Sequence, residues 1–215
     1  MQKRTKVLIA CEFSGIVRQA FRKRGFDAWS CDLLPAEDGS PYHLQCDVRE
    51  VLADGWLLMI AHPPCTYLCL SGVRWLYERP ERWQKLQEAI EFFKELLNAP
   101  IPHIAVENPT MHRFALQQLG RPSQCFQPYE FGEPVSKRTC LWLRNLPPLL
   151  ATKILHKDKA QQRIWKCPPS PNRWKERSRS FPKVAEAMAH QWGDFLISRY
   201  GRQVCQAATE ALGGN

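Results

Sequence analysis

"KVLIACEFSGIVRQAFRKRG", residues 6–25, decides the fold. After Lys6 the stretch opens with an apolar run that does not alternate. An alternating strand buries one face, whereas an unbroken run buries both, as in the parallel sheets of α/β proteins. A turn follows at Gly15. Ile16, Val17, Ala20 and Phe21 then recur at helical spacing, and Gly25 is placed to stop the helix. Strand, tight turn and amphipathic helix form the first half of a βαβ unit. Basic residues before the apolar run raise a secretion signal as an alternative. The run is too short for one and Glu12 interrupts it, so a first strand and a cytoplasmic location are expected.

The same grammar repeats outward. "FDAWSCD" (26–32) and "YHLQCD" (42–47) read as strands that each end in an acid. "LLMIAH" (57–62), "HIAVEN" (103–108) and "RTCLWLR" (138–144) read as further strands. Residues 79–100 read as a helix, with Trp83, Leu86, Ile90, Phe93 and Leu97 on its buried face and prolines at both ends. This alternation predicts a doubly wound, Rossmann-like α/β sheet. Residues 145–180 break the pattern, and "CPPSPNRW" (167–174) suits neither regular element. Helix resumes over 180–200, with Ser180 as the expected cap and Val184, Met188, Trp192, Phe195 and Leu196 inward. The expected organisation is a catalytic core (1–147), a basic proline-rich segment (148–180), a helix returning to the core (181–200) and a frayed tail (201–215).

Bulk properties narrow the function. With 215 residues, 44% of them apolar, the chain can build one sizeable core. No apolar run reaches the ~18 residues of a membrane span. Nine cysteines include no Cys-x-x-Cys pair, and Cys65 and Cys69 lack a matching second pair. Reduced thiols and no bound metal are expected. The net charge of +9 is concentrated in residues 151–183, which carry ten basic and two acidic side chains together with Trp165 and Trp174. Basic groups interleaved with aromatics suit a polyanion with stackable bases. A solvated surface loop is the competing account.

Ligands of doubly wound sheets collect at the carboxyl ends of the strands. Glu12, Asp32, Asp47, Pro63-Pro64-Cys65 and Glu107-Asn108 all fall there. "PPCT" (63–66) and "VENP" (106–109), in that order and at strand ends, resemble the DNA cytosine-5 methyltransferase family. The resemblance covers residues 5–144 and, more loosely, the helix from 181. It implies a class I S-adenosylmethionine-dependent methyltransferase sheet, S-adenosylmethionine as cofactor and DNA as partner.

By that resemblance Cys65 is the nucleophile. Its thiolate adds to carbon 6 of cytosine, which turns carbon 5 into an enamine-like nucleophile able to take a methyl group. The thiolate then leaves, so the group must be soft and a good leaving group. The two prolines would end the strand and fix the thiol in the cleft. A buried inert thiol is the competing account. Glu107 would contact ring nitrogen 3 and the exocyclic amine, with a pKa raised by burial, and Asn108 would hold the loop.

The family's Phe-x-Gly-x-Gly motif is matched by Glu12, Phe13, Ser14 and Gly15, but Val17 stands in place of the second glycine and Arg18 follows. The first half-turn is expected to cradle the methionine part of the cofactor at a helix N-terminus. Asp32 would bind ribose hydroxyls, Asp47 would read the adenine amine, and Pro63 would border the cofactor.

"FGEPVSKRTCLWL" (131–143) resembles the family's Tyr-Gly-x-Pro-Gln-x-Arg-x-Arg segment. Among Lys137, Arg138 and Thr139, Arg138 is the favoured catalytic cation and Lys137 a substrate contact. The family's long recognition domain shrinks to the basic segment, with Arg173, Trp174, Lys175, Arg177 and Arg179 as DNA contacts. Short or relaxed sequence recognition follows. Three alternatives stay open: RNA or a free pyrimidine nucleotide as substrate; transfer of a modified group such as carboxymethyl from a carboxylated cofactor, with Arg18 as its partner; and a catalytically inactive nucleic-acid-binding module.

Overall fold

The computed structural model describes residues 6–162, 167–171, 173–202 and 204. Arg163, Trp165, Lys166 and nearly all of the 201–215 tail lie outside the described residues. Seven strands form one sheet: β1 (Val7–Ala10), β2 (Ala28–Asp32), β3 (His43–Gln45), β4 (Leu58–Ala61), β5 (His103–Pro109), β6 (Gln124–Phe126) and β7 (Thr139–Arg144). Their order is β3-β2-β1-β4-β5-β7-β6. The first five run parallel, and β7 is antiparallel to both β5 and β6. The chain steps outward from β1 to β3 and then returns to β4 on the other side of β1. That reversal places a topological switch point between β1 and β4.

Alternate residues of each central strand enter opposite cores, which explains the unbroken apolar runs. Val7, Ile9, Leu58, Ile60 and Ala105 pack on one face. Leu8, Ala10, Met59, Ala61, Ile104 and Val106 pack on the other. The first core is covered by α1 (Ile16–Lys23) and α6 (Pro182–Tyr200) through Val17, Phe21, Met188 and Trp192. The second is covered by α2 (Trp75–Glu78), α3 (Glu81–Leu97) and α4 (Arg113–Leu119), chiefly through Leu86, Ile90 and Phe93. Each such fully buried large side chain stabilises by ~1.5–3 kcal/mol relative to exposure.

α6 lies close on the first βα unit. A Cβ at Gly193 would stand 2.9 Å from the Phe26 ring, so this crossing needs glycine. Arg24, just past α1, donates to the Ala189 and His190 carbonyls at 2.8 and 2.7 Å and pairs with Asp194 at 2.6 Å.

Several expectations are corrected. Ser180 does not cap α6: the cap position is Phe181, Pro182 starts the helix, and the Glu133 carboxylate accepts from Lys183 N at 2.9 Å. The cap is thus tertiary. Residues 145–180 contain a short helix, α5 (Arg173–Ser178), beginning inside the stretch expected to be irregular. On α3, Leu96 fills the core with Leu97 only half-buried, and Trp83 is 41% exposed, packing its ring 5.0 Å from Phe114 instead. α4 and β6 have no counterpart in the sequence reading. The cap of α4 is a histidine, His112, whose Nδ1 accepts from Ala115 N.

Candidate active site

The end of β1 leads into a turn that is held from within. Gly15, at φ 71, opens α1 in the left-handed region, and a side chain there would collide with the Arg18 guanidinium. The buried Glu12 carboxylate accepts from Val17 N at 2.7 Å and Arg18 N at 3.2 Å. Burial holds its pKa above the ordinary value, against the pull of His62, these amides and Arg18. The expected cradle at the helix N-terminus is therefore already filled by Glu12. Arg18 is wholly buried, donates to Ser30 Oγ at 2.6 Å and pairs with Asp38. A guanidinium so engaged gives no support to a carboxylated cofactor.

Asp32 and Asp47 converge on Cys11. That thiol is pushed up to about 12 by burial and then by the two carboxylates. Asp32 accepts from Leu34 N at 2.9 Å, and burial raises its pKa. Asp47 caps a single 3-10 turn, accepting from Arg49 N at 3.0 Å and pairing with the Arg49 guanidinium at 3.2 Å.

Beyond β4, Pro63 and Pro64 carry the chain to Cys65, whose carbonyl accepts from Leu68 N and Cys69 N in a tight turn. The Cys65 thiol is half-buried and hydrogen-bonded to Cys69. That bond, burial and Glu107 push its pKa up, with Lys137 opposing. Cys69 is drawn down to about 5 by the bond from Cys65, with Ser71 Oγ and the Ser71 and Gly72 amides adding donors against burial. The two sulfurs thus share one proton.

Glu107 lies on β5 with its side chain 15% exposed. Its Oε2 lies 3.3 Å from His62 Nδ1, and its Oε1 has no partner among the described residues. Burial alone would raise its pKa, as expected from sequence. Lys137 and the hydrogen bond from His62 outweigh burial, so the pKa is lowered and the group is ionised. Asn108 points to the opposite face of β5 by strand alternation. It is fully buried, and neither amide atom has a partner among the described residues, so it makes none of the bonds a loop-holding role requires.

Lys137, not Arg138, lines the cleft with Glu107. Lys137 and Thr139 share one side of the strand that becomes β7 and line a cleft with His62, Glu107, Phe181 and Met188. Arg138, one residue out of phase, is exposed and faces Cys125 and Cys140. Parity decides this once the start of β7 is known.

The basic segment folds back over the glycine turn. Trp174 sits 6.0 Å from the Phe13 ring, Lys175 lies over Trp174, and Arg179 pairs with Glu37 at 2.8 Å. Arg179 and Ser180 also line the cleft. Arg173 and Arg177 are half-buried on α5. The sequence reading missed a second basic and aromatic surface. There Arg74 and Arg79 stack on Trp75, Arg82 on Tyr67 and Arg113 on Phe114, at 4.3–4.8 Å. Alternating Arg and aromatic residues over 74–83 were the available signal. It also missed His62, which reads as the last residue of a strand.

The sheet has six strands running in one direction and a reversed seventh strand between the fifth and sixth, with the candidate site residues gathered at the carboxyl ends of β1–β5. This is a Rossmann-like α/β fold. No protein-family model and no curated protein matches the chain. Among solved structures, a prophage-encoded candidate DNA modification methyltransferase of E. coli superposes with a TM-score of 0.44 at 15% identity, over 64% of this chain and 45% of its own. The chain therefore spans less than half the length of that protein. Among the described residues no helix is long and apolar enough to cross a membrane, and no cluster of His, Cys, Asp or Glu could hold a metal ion.

Proposed function

We propose that the protein is an S-adenosylmethionine-dependent methyltransferase that modifies carbon 5 of cytosine in DNA through a covalent bond to Cys65. The observation that carries the reading is that Cys65 lies within electrostatic reach of Glu107 and Lys137, two residues from separate chain segments that line one cleft. A thiol, a carboxylate and a cation are the groups needed to add to a pyrimidine, hold its amine edge and balance the charge that develops.

The donor set fits the adenosine end of the cofactor. Asp32 and Asp47, both near Cys11, present acceptors for hydroxyls and an amine. The methionine end meets Glu12 rather than free amides, so its ammonium is the group that complements this turn. When bound, the cofactor supplies the electrophilic methyl group.

The protein's own residues do the rest. Cys69 accepts the Cys65 proton as the sulfur adds to carbon 6. Glu107 Oε1 accepts from the exocyclic amine, and Lys137 offsets negative charge on the ring. DNA rather than a free nucleotide is favoured by the Arg–aromatic surface on the segment that follows Cys65 and by the basic α5, whose Ser178 lines the cleft. Because the base must leave a duplex to reach Cys65, stacking side chains at the rim offset part of the cost of flipping.

The test uses DNA containing 5-fluorocytosine. Fluorine cannot leave as a proton does, so the adduct persists. A cofactor-dependent covalent complex mapped to Cys65 is expected. A complex at Cys69, or one that survives Cys65→Ala, would overturn the assignment.

A further inference from the structure

One basic nitrogen in the cleft is left unused by this mechanism. His62 lies between β4 and Pro63, with its side chain only 11% exposed. Nδ1 is 3.3 Å from Glu107 Oε2. Nε2 is buried and has no partner among the described residues, although the ring lines the cleft. Glu107 is ionised and can only accept, so the proton of the ring sits on Nδ1. The lone pair is then on Nε2. A carboxylate that fixes one ring nitrogen and leaves the other facing a reactant is the arrangement of a histidine base.

The cytosine-5 reading, on which this inference rests, needs such a base once. After sulfur has bonded to carbon 6 and methyl to carbon 5, carbon 5 is saturated and still carries its hydrogen. Release breaks that C–H bond, its electron pair forms the carbon 5–carbon 6 double bond, and the C–S pair returns to sulfur. We propose that His62 Nε2 takes the carbon-5 proton, becoming an imidazolium held by Glu107. Carbon 5 neighbours the amine-bearing ring carbon, and in this reading Glu107 grips that amine with Oε1 while its Oε2 holds His62. Of the other groups lining the cleft, Lys137 is a cation and the Thr139, Ser178 and Ser180 hydroxyls are weak bases.

Two variants separate the roles of the two nitrogens. His62→Asn keeps a donor near Nδ1 and removes the Nε2 base, and His62→Gln does the reverse without basicity. Both should still form the fluorocytosine adduct, which needs no proton removal. On ordinary cytosine DNA both should accumulate a covalent complex carrying the transferred methyl, with release slowed by ~10²–10⁴-fold. Added imidazole should speed release in His62→Ala. Normal turnover by His62→Asn and His62→Gln, or loss of the fluorocytosine adduct in both, overturns the assignment. Failure of the unsubstituted protein to form that adduct is a different result, because it removes the cytosine-5 reading itself.

Discussion

The ends of β1–β3 and the ends of β4–β5 lie side by side on one edge of the sheet, yet they are finished in opposite ways. At the first, every acid is already satisfied by its own neighbourhood: Glu12 by two amides, Asp32 by Leu34 N, Asp47 by Arg49. At the second, Glu107 Oε1, His62 Nε2 and both amide atoms of Asn108 are buried without partners among the described residues. Each unpaired buried polar atom costs ~1–3 kcal/mol. Of these atoms, Glu107 Oε1 and His62 Nε2 belong to residues that line the cleft, where a ligand could supply the missing bonds. In the proposed function the first region would bind by exchanging existing partners, and the second would act.

If that division holds, the largest effects belong to the second region. Glu107→Gln removes the ionised acceptor and the anchor of His62, and single-turnover methylation should fall by ~10²–10⁴-fold with cofactor affinity unchanged. A variant with a normal rate and weakened cofactor binding would reverse the roles of the two regions.

Thiol reactivity sharpens the picture of the second region. With Cys69 drawn down to about 5, its thiolate fraction rises through that pH, so alkylation mapped by mass spectrometry should mark Cys69 ahead of Cys65 at neutral pH. Cys65→Ala takes away the principal donor and should move the Cys69 midpoint upward. Labelling of Cys65 first would mean that the charge rests on the other sulfur.

Smaller effects belong to the first region. Asp32→Ala should weaken S-adenosylmethionine binding by ~1–3 kcal/mol in calorimetry, the cost of unpaired hydroxyls. Asp47→Ala should lower stability by ~0.5–2 kcal/mol through the lost cap of its 3-10 turn. If Asp47→Ala instead abolishes cofactor binding at unchanged melting temperature, its cap geometry gives way to the ligand.

Much of this was legible in the residues, for reasons the structure makes concrete. Val7–Ala10 and Leu58–Ala61 are buried on both faces, and only a central parallel strand writes itself as an unbroken apolar run. Gly25 stops α1, and the φ of 81 there explains why glycine is used. β6 was invisible because three residues, Gln124–Phe126, carry no period and exist as a strand only through pairing with β7. Lys137 and Arg138 could not be ranked, since a shift of one residue in the start of β7 exchanges their faces. The ionised Glu107 was missed because its pKa depends on Lys137 and His62, which sequence does not bring near it.

The Arg24 clamp on α6 has a consequence for when the protein becomes competent. Its bonds to Ala189 and His190 join groups 165 and 166 residues apart, and α6 supplies Val184 and Met188 to the cleft wall. During synthesis the amino-terminal strands emerge first, and contacts of such long separation close late. A nascent chain can therefore carry Cys65 and Glu107 on a nearly finished sheet while the cleft still lacks its wall. The cleft is therefore walled only once α6 has docked, well after the strands that carry its other lining residues have been made.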